Sequence, residues 1–407
     1  MERFLKRGWA EIDLDQLQAN YEHIQSLIPP KTKIMAILKA DAYGCGDIDC
    51  ARALNRYEDG WYGVSNLNEA LRVRNVSEKP VLILTYTDPV YTGLLAEEKI
   101  TQTIVSLDYA KLLSQAARQA GKVVDVHIKL DTGMNRIGLR SYGEHWEQAV
   151  TEAEEILNDP WLHVTGVFTH VTTTYEYAQD EAAKAFADEQ LAAYRRVTEA
   201  LIQKGYDIGL RHACNSGGII NVPELAGLDM VRAGCVLYGI YPRRCMSREE
   251  HFKNVLSFKA SVLHVKDVEA GQYFSYSMTG HTDKPLRVAT ISIGYADGFR
   301  RCLGNIGRVL LNGHSCQIMG RVCMDQIIVD VTEAGFVTVG DEAVLMGKQG
   351  DEEILVDELC RLAQTGPPEI TCLLTRRVQK IYKDGGRTAY RVEFERKEEP
   401  FVETDNK

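Results

Sequence analysis

From residue 11 to about residue 240, the chain alternates short apolar runs with longer amphipathic stretches. One stretch carries an apolar residue at every third or fourth position, as on one face of a helix: Leu191, Tyr194, Val197 and Leu201. The apolar runs predict eight strands, at residues 33–39, 62–65, 81–85, 103–106, 123–131, 163–170, 210–215 and 230–238. Eight strands that alternate with helices favour a parallel sheet, and their number predicts an α/β fold closed into a (β/α)₈ TIM barrel.

The fifth predicted strand alternates aliphatic side chains with four polar ones, Asp125, His127, Lys129 and Asp131. Helices cover the outside of a parallel barrel, so the polar side chains should face its interior. Lys129 would then be a buried cation that needs a partner or must lose its charge. The alternative is an amphipathic edge strand that faces water.

Beyond Pro242 the pattern changes to β alternation with few helical signals. Asn312 and Gly313 separate two strand-like runs within residues 309–318, which is a strong hairpin signal. Only residues 356–364 are typical of a helix. The predicted organisation is a barrel at 11–242, a mainly-β domain formed by 1–10 and 243–395, and a charged tail at 396–407.

The chain has 407 residues, 45% of them hydrophobic and 26% charged, which is typical of globular domains. Its net charge is −10 and its basic residues are scattered, which argues against a nucleic-acid partner. We expect no membrane segment, since no apolar run approaches the length of a spanning helix. Ten cysteines without a CxxC pair suggest reduced thiols in the cytoplasm, and neither cysteines nor histidines show metal-ligand spacing. A part of a longer, membrane-anchored protein is the alternative.

Lys39 ends an apolar run, residues 34–38, and precedes the segment Ala40-Asp41-Ala42-Tyr43-Gly44. Burial at such a position lowers the pKa of a lysine and frees its amine as a nucleophile. An amine of this kind can form a Schiff base with pyridoxal phosphate or with a carbonyl substrate. The alternative is a lysine that extends from the strand end into solvent.

Five further polar residues lie at the carboxyl ends of predicted strands, where the ligand sites of such barrels form: Arg136, His170, His212, Ser216 and Arg232. Residues 215–218 offer a hydroxyl and backbone N–H groups of the kind that bind phosphate. Residues 231–235 would add a second pair of N–H groups beside them. These residues together predict a catalytic site at this rim.

Seven motifs, spread over almost the whole chain, resemble those of the alanine racemases. They are AILKADAYGCG at 36–46, IKLDTGMNRIG at 128–138, RHACNSGG at 211–218, MVRAG at 230–234, FSYSMTG at 274–280, GYADGF at 294–299 and GRVCMDQ at 320–326. Their number and order make the resemblance specific. It implies a barrel with a C-terminal β domain, the cofactor pyridoxal 5′-phosphate, and an isomerase that interconverts L- and D-amino acids.

The resemblance also implies where the cofactor is held. Lys39 would carry it covalently, and four residues would line its phosphate: Tyr43, Ser216, Gly234 and Cys235. His170 would pack against the pyridine ring, Arg232 would donate to the pyridine nitrogen, and His212 would support Arg232.

The resemblance gives two more residues of the barrel a role that involves negative charge. Arg136 would contact the cofactor oxygen and the carboxylate of the substrate. Lys129 matches a position that is often carbamylated in relatives, and a carbamate there would hold Arg136.

Racemisation needs a proton removed from one face of a carbon and returned on the other. By resemblance, Lys39 and Tyr276 are these two acid/base groups. Tyr276 would come from the neighbouring subunit of a head-to-tail homodimer, with three residues near the substrate: Tyr295, Met324 and Asp325.

Three positions depart from the family pattern. Cys45 stands where relatives usually have histidine, and residues 172–177 replace a shorter loop. Arg376 stands where the family usually has a tyrosine that touches the phosphate and narrows the pocket. This change predicts a site that accepts a polar substrate such as serine; the alternative is that Arg376 adds to the phosphate contacts.

Two other functions remain as alternatives. A pyridoxal-phosphate amino-acid decarboxylase would have the same two-domain plan, but the segments Val231-Arg232 and Ser275-Tyr276 argue against it. A pyridoxal-phosphate carrier without turnover would have no need of a β domain that bears a tyrosine.

Overall fold

The structure is a computed structural model and describes residues 7–240 and 252–390. The predicted domain boundary at 242/243 and the predicted tail at 396–407 therefore lie outside the described residues. The first strand, β1 (Gly8–Asp13), pairs with strands of the C-terminal half and takes no part in the barrel.

The barrel consists of parallel strands that are buried over most of their length. They are β2 (Lys33–Ile37), β3 (Trp61–Val64), β4 (Val81–Ile83), β5 (Ile100–Ile104), β6 (Val124–Asp131), the short β7 (Leu139–Arg140), β8 (Leu162–Phe168), β9 (Leu210–His212) and β10 (Met230–Ala233). Their order is β10-β2-β3-β4-β5-β6-β8-β9, with β7 beside β6. A parallel bridge between Cys214 and Val231 brings β9 next to β10 and closes the barrel.

Helices follow the strands and cover the outside of the barrel. They are α1 (Leu14–Leu27), α2 (Lys39–Tyr43), α3 (Asp47–Leu54), α4 (Leu67–Arg74), α5 (Thr92–Glu97), α6 (Leu107–Ala120), α7 (Trp146–Leu157), α8 (Glu181–Gln203), α9 (Ser216–Asn221) and α10 (Pro223–Ala226). In α8, Asp180 caps the first turn by accepting from two backbone N–H groups, and the apolar stripe predicted from the sequence is buried.

The C-terminal half forms a second, largely antiparallel sheet. Its strands are β11 (Leu256–Val268), β12 (Tyr273–Phe274), β13 (Gly280–His281), β14 (Leu286–Ile291), β15 (Arg308–Leu311), β16 (His314–Gln317), β17 (Ile327–Asp330), β18 (Glu342–Gln349), β19 (Glu352–Ile354), β20 (Gln379–Asp384) and β21 (Arg387–Tyr390). The main order is β16-β15-β18-β11-β1-β20-β21. This half also has two helices, α11 (Val356–Ala363) and α12 (Pro367–Cys372); they pack against each other, and α12 contacts α2 of the barrel.

The predicted fold class is confirmed, and so are two local predictions. The hairpin turn falls at Asn312 and Gly313, whose φ angles of +51° and +78° are those of a type I′ turn. The polar face of β6 points into the barrel, where His127 and Lys129 are buried. The edge-strand alternative is wrong because β6 pairs on both sides, with β5 and β8.

Other local predictions were wrong. The strand predicted at 33–39 stops at Ile37, and the strand predicted at 230–238 stops at Ala233, because the chain turns there to form the rim of the barrel. The prediction of a single C-terminal helix missed α12, a short helix that begins at a proline pair and carries little periodic signal.

Candidate active site

Lys39 lies at the start of a strained left-handed turn. The four residues after it have φ between +52° and +56°, a region that costs roughly 1–2 kcal/mol for each residue with a side chain. The turn is held from outside the barrel: a Cβ on Gly44 would lie 2.2 Å from the carbonyl oxygen of Thr371 in α12. Asp41 pairs with Lys380, and the N–H of Ala40 donates to Glu69 at 2.8 Å. The backbone therefore fixes the position from which the Lys39 side chain extends.

The Lys39 amine has a lowered pKa. Burial is the largest cause, and the neighbouring positive charge of Arg136 adds to it, while the Cys235 thiol and Glu69 act in the opposite direction. A lysine in this setting loses its proton more readily than an exposed one and can act as a nucleophile or base.

Three hydroxyls are grouped around Gly234 and Cys235, and Cys235 acts on the Lys39 amine. We call this group the hydroxyl cup; it consists of Tyr43, Tyr175, Ser216, Gly234 and Cys235. Ser216 Oγ accepts from the backbone N–H of Gly234 at 3.0 Å, and a Cβ on Gly234 would lie 2.7 Å from Tyr43 Oη. Only glycine leaves room there for the Tyr43 hydroxyl. Burial raises the pKa of Tyr43 well above its usual value, so its phenol keeps its proton and can donate to an anion.

Tyr175 belongs to this cup, although sequence reasoning gave it no role. Its hydroxyl oxygen is buried beside Ser216 and Cys235 but makes no hydrogen bond of normal geometry within the described residues. The signal that was available is its place in the loop at 172–177, which departs from the family pattern.

Arg232 is buried in the barrel interior, and both of its terminal nitrogens have hydrogen-bond partners. Its guanidinium donates to the carbonyl oxygen of Thr169 at 2.7 Å and lies 3.1 Å from Nδ1 of His212. His212 Nε2 lies in turn 3.0 Å from Nδ1 of His127. Burial lowers the pKa of Arg232 to about 10, which leaves it cationic at neutral pH, and lowers the pKa of His212 well below its usual value.

Two more predicted residues complete a cationic interior. Lys129 Nζ lies 5.0 Å from the centre of the Phe168 ring, and burial together with Arg232 lowers its pKa to about 7. His170 lies just past β8, where burial and the charge of Arg232 lower its pKa well below the usual value. Arg136 is exposed at the rim, yet its charge acts on Lys39, Lys129 and His170. This concentration of positive charge suits an anionic ligand.

The four C-terminal site residues lie together on a different surface. We call it the Tyr276 face: Tyr276, Tyr295, Met324 and Asp325. The N–H of Tyr295 donates to the carbonyl of Cys323 at 3.0 Å, which joins the two loops, and Asp325 pairs with Arg377. Tyr276 is 66% exposed and Met324 is 52% exposed. In the part of the chain that the structure describes, the contacts of Lys39 do not reach this face.

Arg376 also lies apart from the hydroxyl cup. It is exposed and lines an outer cleft with Asp41, Glu69 and Lys380. The structure thus brings the barrel residues of the predicted site together and leaves Arg376 and the Tyr276 face outside that cluster.

The described ranges, 7–240 and 252–390, lack both a metal-binding cluster and a membrane-spanning helix. They contain no group of three or more histidine, cysteine or acidic side chains placed to hold a metal ion. Within them, no helix has both the length and the apolar character needed to cross a membrane.

Comparisons with known proteins agree over most of the chain. Residues 12–242 match the model of the alanine racemase N-terminal domain, and residues 255–382 match that of the alanine racemase C-terminal domain. Alanine racemase 2 of Caldanaerobacter subterraneus subsp. tengcongensis is 37% identical over 91% of this chain and 94% of its own length.

Solved structures agree as well. An alanine racemase from Clostridium difficile 630 superimposes with a TM-score of 0.87 at 32% identity, covering 95% of this chain and 98% of that one. The alanine racemase of Bartonella henselae, solved with covalently bound pyridoxal phosphate, has a TM-score of 0.81 at 28% identity and covers 93% of this chain and 100% of that one. Since the matches span both halves of the sequence, this chain belongs to the alanine racemase family.

Proposed function

We propose that this protein is a pyridoxal-phosphate-dependent alanine racemase, an isomerase that interconverts L- and D-alanine by a two-base mechanism. The observation that carries the proposal is the Lys39 amine, whose pKa is lowered by burial and on which Cys235 of the hydroxyl cup acts, while Lys39 and the buried Arg232 both act on His170. The relatives named above, all alanine racemases, support alanine as the substrate. The serine, decarboxylase and carrier alternatives are not needed to account for any of these observations.

The residues of the barrel fit the cofactor. Lys39 provides an amine able to attack an aldehyde, and the cup provides protonated hydroxyls and a glycine whose Cβ would fill it. Arg232 provides a donor on the opposite side. When bound, pyridoxal phosphate supplies an electron sink that makes the Cα hydrogen of an attached amino acid acidic.

Lys39 and Tyr276 divide the proton transfers between the two faces of the substrate. Lys39 serves one face, because its amine is easily deprotonated. Tyr276 serves the other, and it comes from a second copy of the chain in a head-to-tail homodimer. Support for this arrangement is the exposure of the Tyr276 phenol within one chain. Its neighbours Ser275, Ser277 and Met278 have φ between +55° and +62°, a strain that typically clusters at functional sites.

Arg232 controls which reaction follows. A guanidinium donates a hydrogen bond and keeps its proton. Arg232 would therefore leave the pyridine nitrogen of the cofactor unprotonated. With its pyridine nitrogen unprotonated, a bound cofactor would be a weaker electron sink, which would suit racemisation. His212 orients Arg232, and His170 would pack against the pyridine ring.

The remaining roles concern negative charge. Arg136 binds the carboxylate of the substrate at the rim. Lys129, whose pKa is about 7, has a neutral amine in part of the molecules, and this amine can take up carbon dioxide with loss of a proton. The carbamate so formed would be an anion between Arg136 and Arg232, both of which act on Lys129.

Four residues complete the substrate side of the proposal. Tyr295, Met324 and Asp325 of a second copy line the substrate with Tyr276. Arg376 lines the outer cleft together with Glu69, and Glu69 also acts to raise the pKa of the Lys39 amine.

The domain division and the location also belong to the proposal. A barrel at 11–242 and a β domain at 1–10 and 243–395 are supported by the pairing of β1 with β11 and β20. A cytoplasmic location is supported by the nine cysteines within the described ranges, which are all free thiols.

The test is a racemisation assay in deuterium oxide. Purified protein with pyridoxal phosphate should convert L-alanine to D-alanine and exchange the Cα hydrogen for deuterium, with serine, aspartate and lysine turned over far more slowly. A protein that binds the cofactor but exchanges no Cα hydrogen would be a carrier. Release of carbon dioxide would indicate a decarboxylase, and either result would refute the proposal.

A further inference from the structure

The hydroxyl of Tyr175 is buried against Ser216 and Cys235, yet it makes no hydrogen bond of normal geometry with any described residue. Such a group costs stability, since it gives up its hydrogen bonds to water and gains no well-formed one in the protein. Native proteins keep few of them, and each one needs an explanation such as a ligand that binds there.

The loop that carries Tyr175 is firmly fixed. The Thr174 hydroxyl donates to Asn215 Oδ1 at 2.7 Å, and the Asn221 amide donates to the carbonyls of Thr174 at 2.9 Å and Tyr175 at 3.1 Å. A Cβ on Gly217 would lie 2.9 Å from the backbone nitrogen of Tyr175, so the loop sits directly on the first turn of α9. The position of the Tyr175 hydroxyl is therefore set before any ligand binds.

The surroundings of this hydroxyl offer donors for an anion. Ser216 Oγ already accepts from the N–H groups of Gly234 at 3.0 Å and Val236 at 3.4 Å, so its own hydrogen is its remaining hydrogen-bonding capacity. Burial raises the pKa of Tyr175 well above its usual value, Cys235 and Tyr43 add to the rise and Ser216 opposes it, so Tyr175 stays a donor at neutral pH. The three hydroxyls are neighbours: a Cβ on Gly234 would lie 2.7 Å from Tyr43 Oη and 3.6 Å from Ser216 Oγ, and Ser216 and Tyr43 both act on Tyr175.

We propose that Tyr175 donates a hydrogen bond to the phosphate group of pyridoxal phosphate and is a specificity determinant for the phosphorylated form of the cofactor. The inference rests on the proposed function. It also explains how the site can manage with an arginine at position 376: that side chain lies in the outer cleft, and the phenol for the phosphate is supplied by the loop at 172–177 instead.

The experiment compares cofactor affinities of the wild type and of Tyr175→Phe. Protein freed of cofactor is titrated with pyridoxal phosphate and, separately, with pyridoxal, which has no phosphate. The variant should bind pyridoxal phosphate about tenfold more weakly, as expected for loss of one hydrogen bond to a charged group, and should bind pyridoxal as the wild type does. Tyr177→Phe is the matched control, because Tyr177 is on the same loop and donates instead to Asp188 at 2.9 Å.

A second readout separates ligand binding from a structural role. Without cofactor, Tyr175→Phe should melt at the same temperature as the wild type or higher, because the substitution removes an unpaired buried hydroxyl. A structural role for the hydroxyl would instead lower the melting temperature of the cofactor-free protein.

Equal affinity of the variant and the wild type for pyridoxal phosphate would overturn the inference, and so would an equal loss of affinity for both ligands. Should the variant not fold, a crystal structure of the wild-type holoenzyme decides: a Tyr175 hydroxyl out of hydrogen-bonding distance of the phosphate refutes the role. Failure of the proposed function looks different, since the wild type would then exchange no Cα hydrogen of alanine, whatever the affinity of the variant for pyridoxal phosphate.

Discussion

His212 and His127 are joined inside the barrel, with His212 Nε2 3.0 Å from His127 Nδ1. The direction of the hydrogen bond follows from Arg232, which is an obligate donor and lies 3.1 Å from His212 Nδ1. With Nδ1 of His212 accepting, its Nε2 must carry the proton and donate to His127. The proton of His127 is then on Nε2, which is buried and finds no acceptor within the described residues.

This arrangement predicts that both imidazoles stay neutral through the physiological range. Burial lowers the pKa of His127 to about 3 and that of His212 well below its usual value. In ¹⁵N NMR spectra, both should appear as neutral rings protonated at Nε2 from pH 9 down to pH 5, with the exposed His314 as a comparison signal. An imidazolium signal from either ring at pH 6 would contradict the assignment.

Lys129 should make folding stability depend on pH. Its pKa is about 7 in the folded chain and near 10.5 when unfolded, so between these values the unfolded state binds the extra proton. Stability contributed by this group therefore rises with pH across that window, by about 1 kcal/mol per pH unit. Urea unfolding of the cofactor-free protein is measured from pH 7 to 9 in buffer depleted of carbon dioxide. The free energy of unfolding of the wild type should increase with pH relative to that of Lys129→Met. Parallel pH profiles would refute the prediction.

The close approach of Gly234 to Tyr43 predicts a specific intolerance. Gly234→Ala places a Cβ 2.7 Å from Tyr43 Oη and should displace that hydroxyl, weakening pyridoxal phosphate binding about tenfold or more. Gly227→Ala is the control, because a Cβ there meets only the carbonyl of Glu224 at 3.5 Å. Cofactor titration measures both. Unchanged affinity in Gly234→Ala would mean that Tyr43 does not hold the phosphate.

The two proposed bases should fail in different ways. Lys39→Ala should lose both the visible absorbance of the bound cofactor and all turnover. Tyr276→Phe should keep the absorbance and lose roughly 10²–10⁴ in kcat in at least one direction, as expected when a general acid or base is removed. Tyr273→Phe, an exposed tyrosine of the same domain, should behave as the wild type. Full activity of Tyr276→Phe in both directions would exclude its role as a base.

The sequence alone predicted those parts of the fold that depend on local residue patterns. Period-two alternation placed Lys129 inside the barrel, and the Asn312-Gly313 pair gave the hairpin. The left-handed turn after Lys39 and the role of α12 in holding it could not be read, because both depend on packing between residues more than 300 positions apart in the chain.

Tyr175 shows the same limit at the level of the site. Its loop has no periodic signal, and its hydroxyl reaches the cup only because Asn215 and Asn221 fix the loop on α9. The exposure of Tyr276 is a further case, since the residues around it have no periodic pattern that would place its side chain on the surface.

The central claim is that Lys39 of one chain and Tyr276 of another serve one substrate. Co-expression of Lys39→Ala and Tyr276→Phe chains with different tags, followed by purification of the mixed dimer, tests it directly. In a shared site, one of the two sites of the mixed dimer contains both an intact Lys39 and an intact Tyr276, so the dimer should recover about half of the wild-type activity, in a direction in which each parent is inactive. If both residues of a site came from the same chain, every site would lack one of them, and a mixed dimer as inactive as its parents would contradict the account.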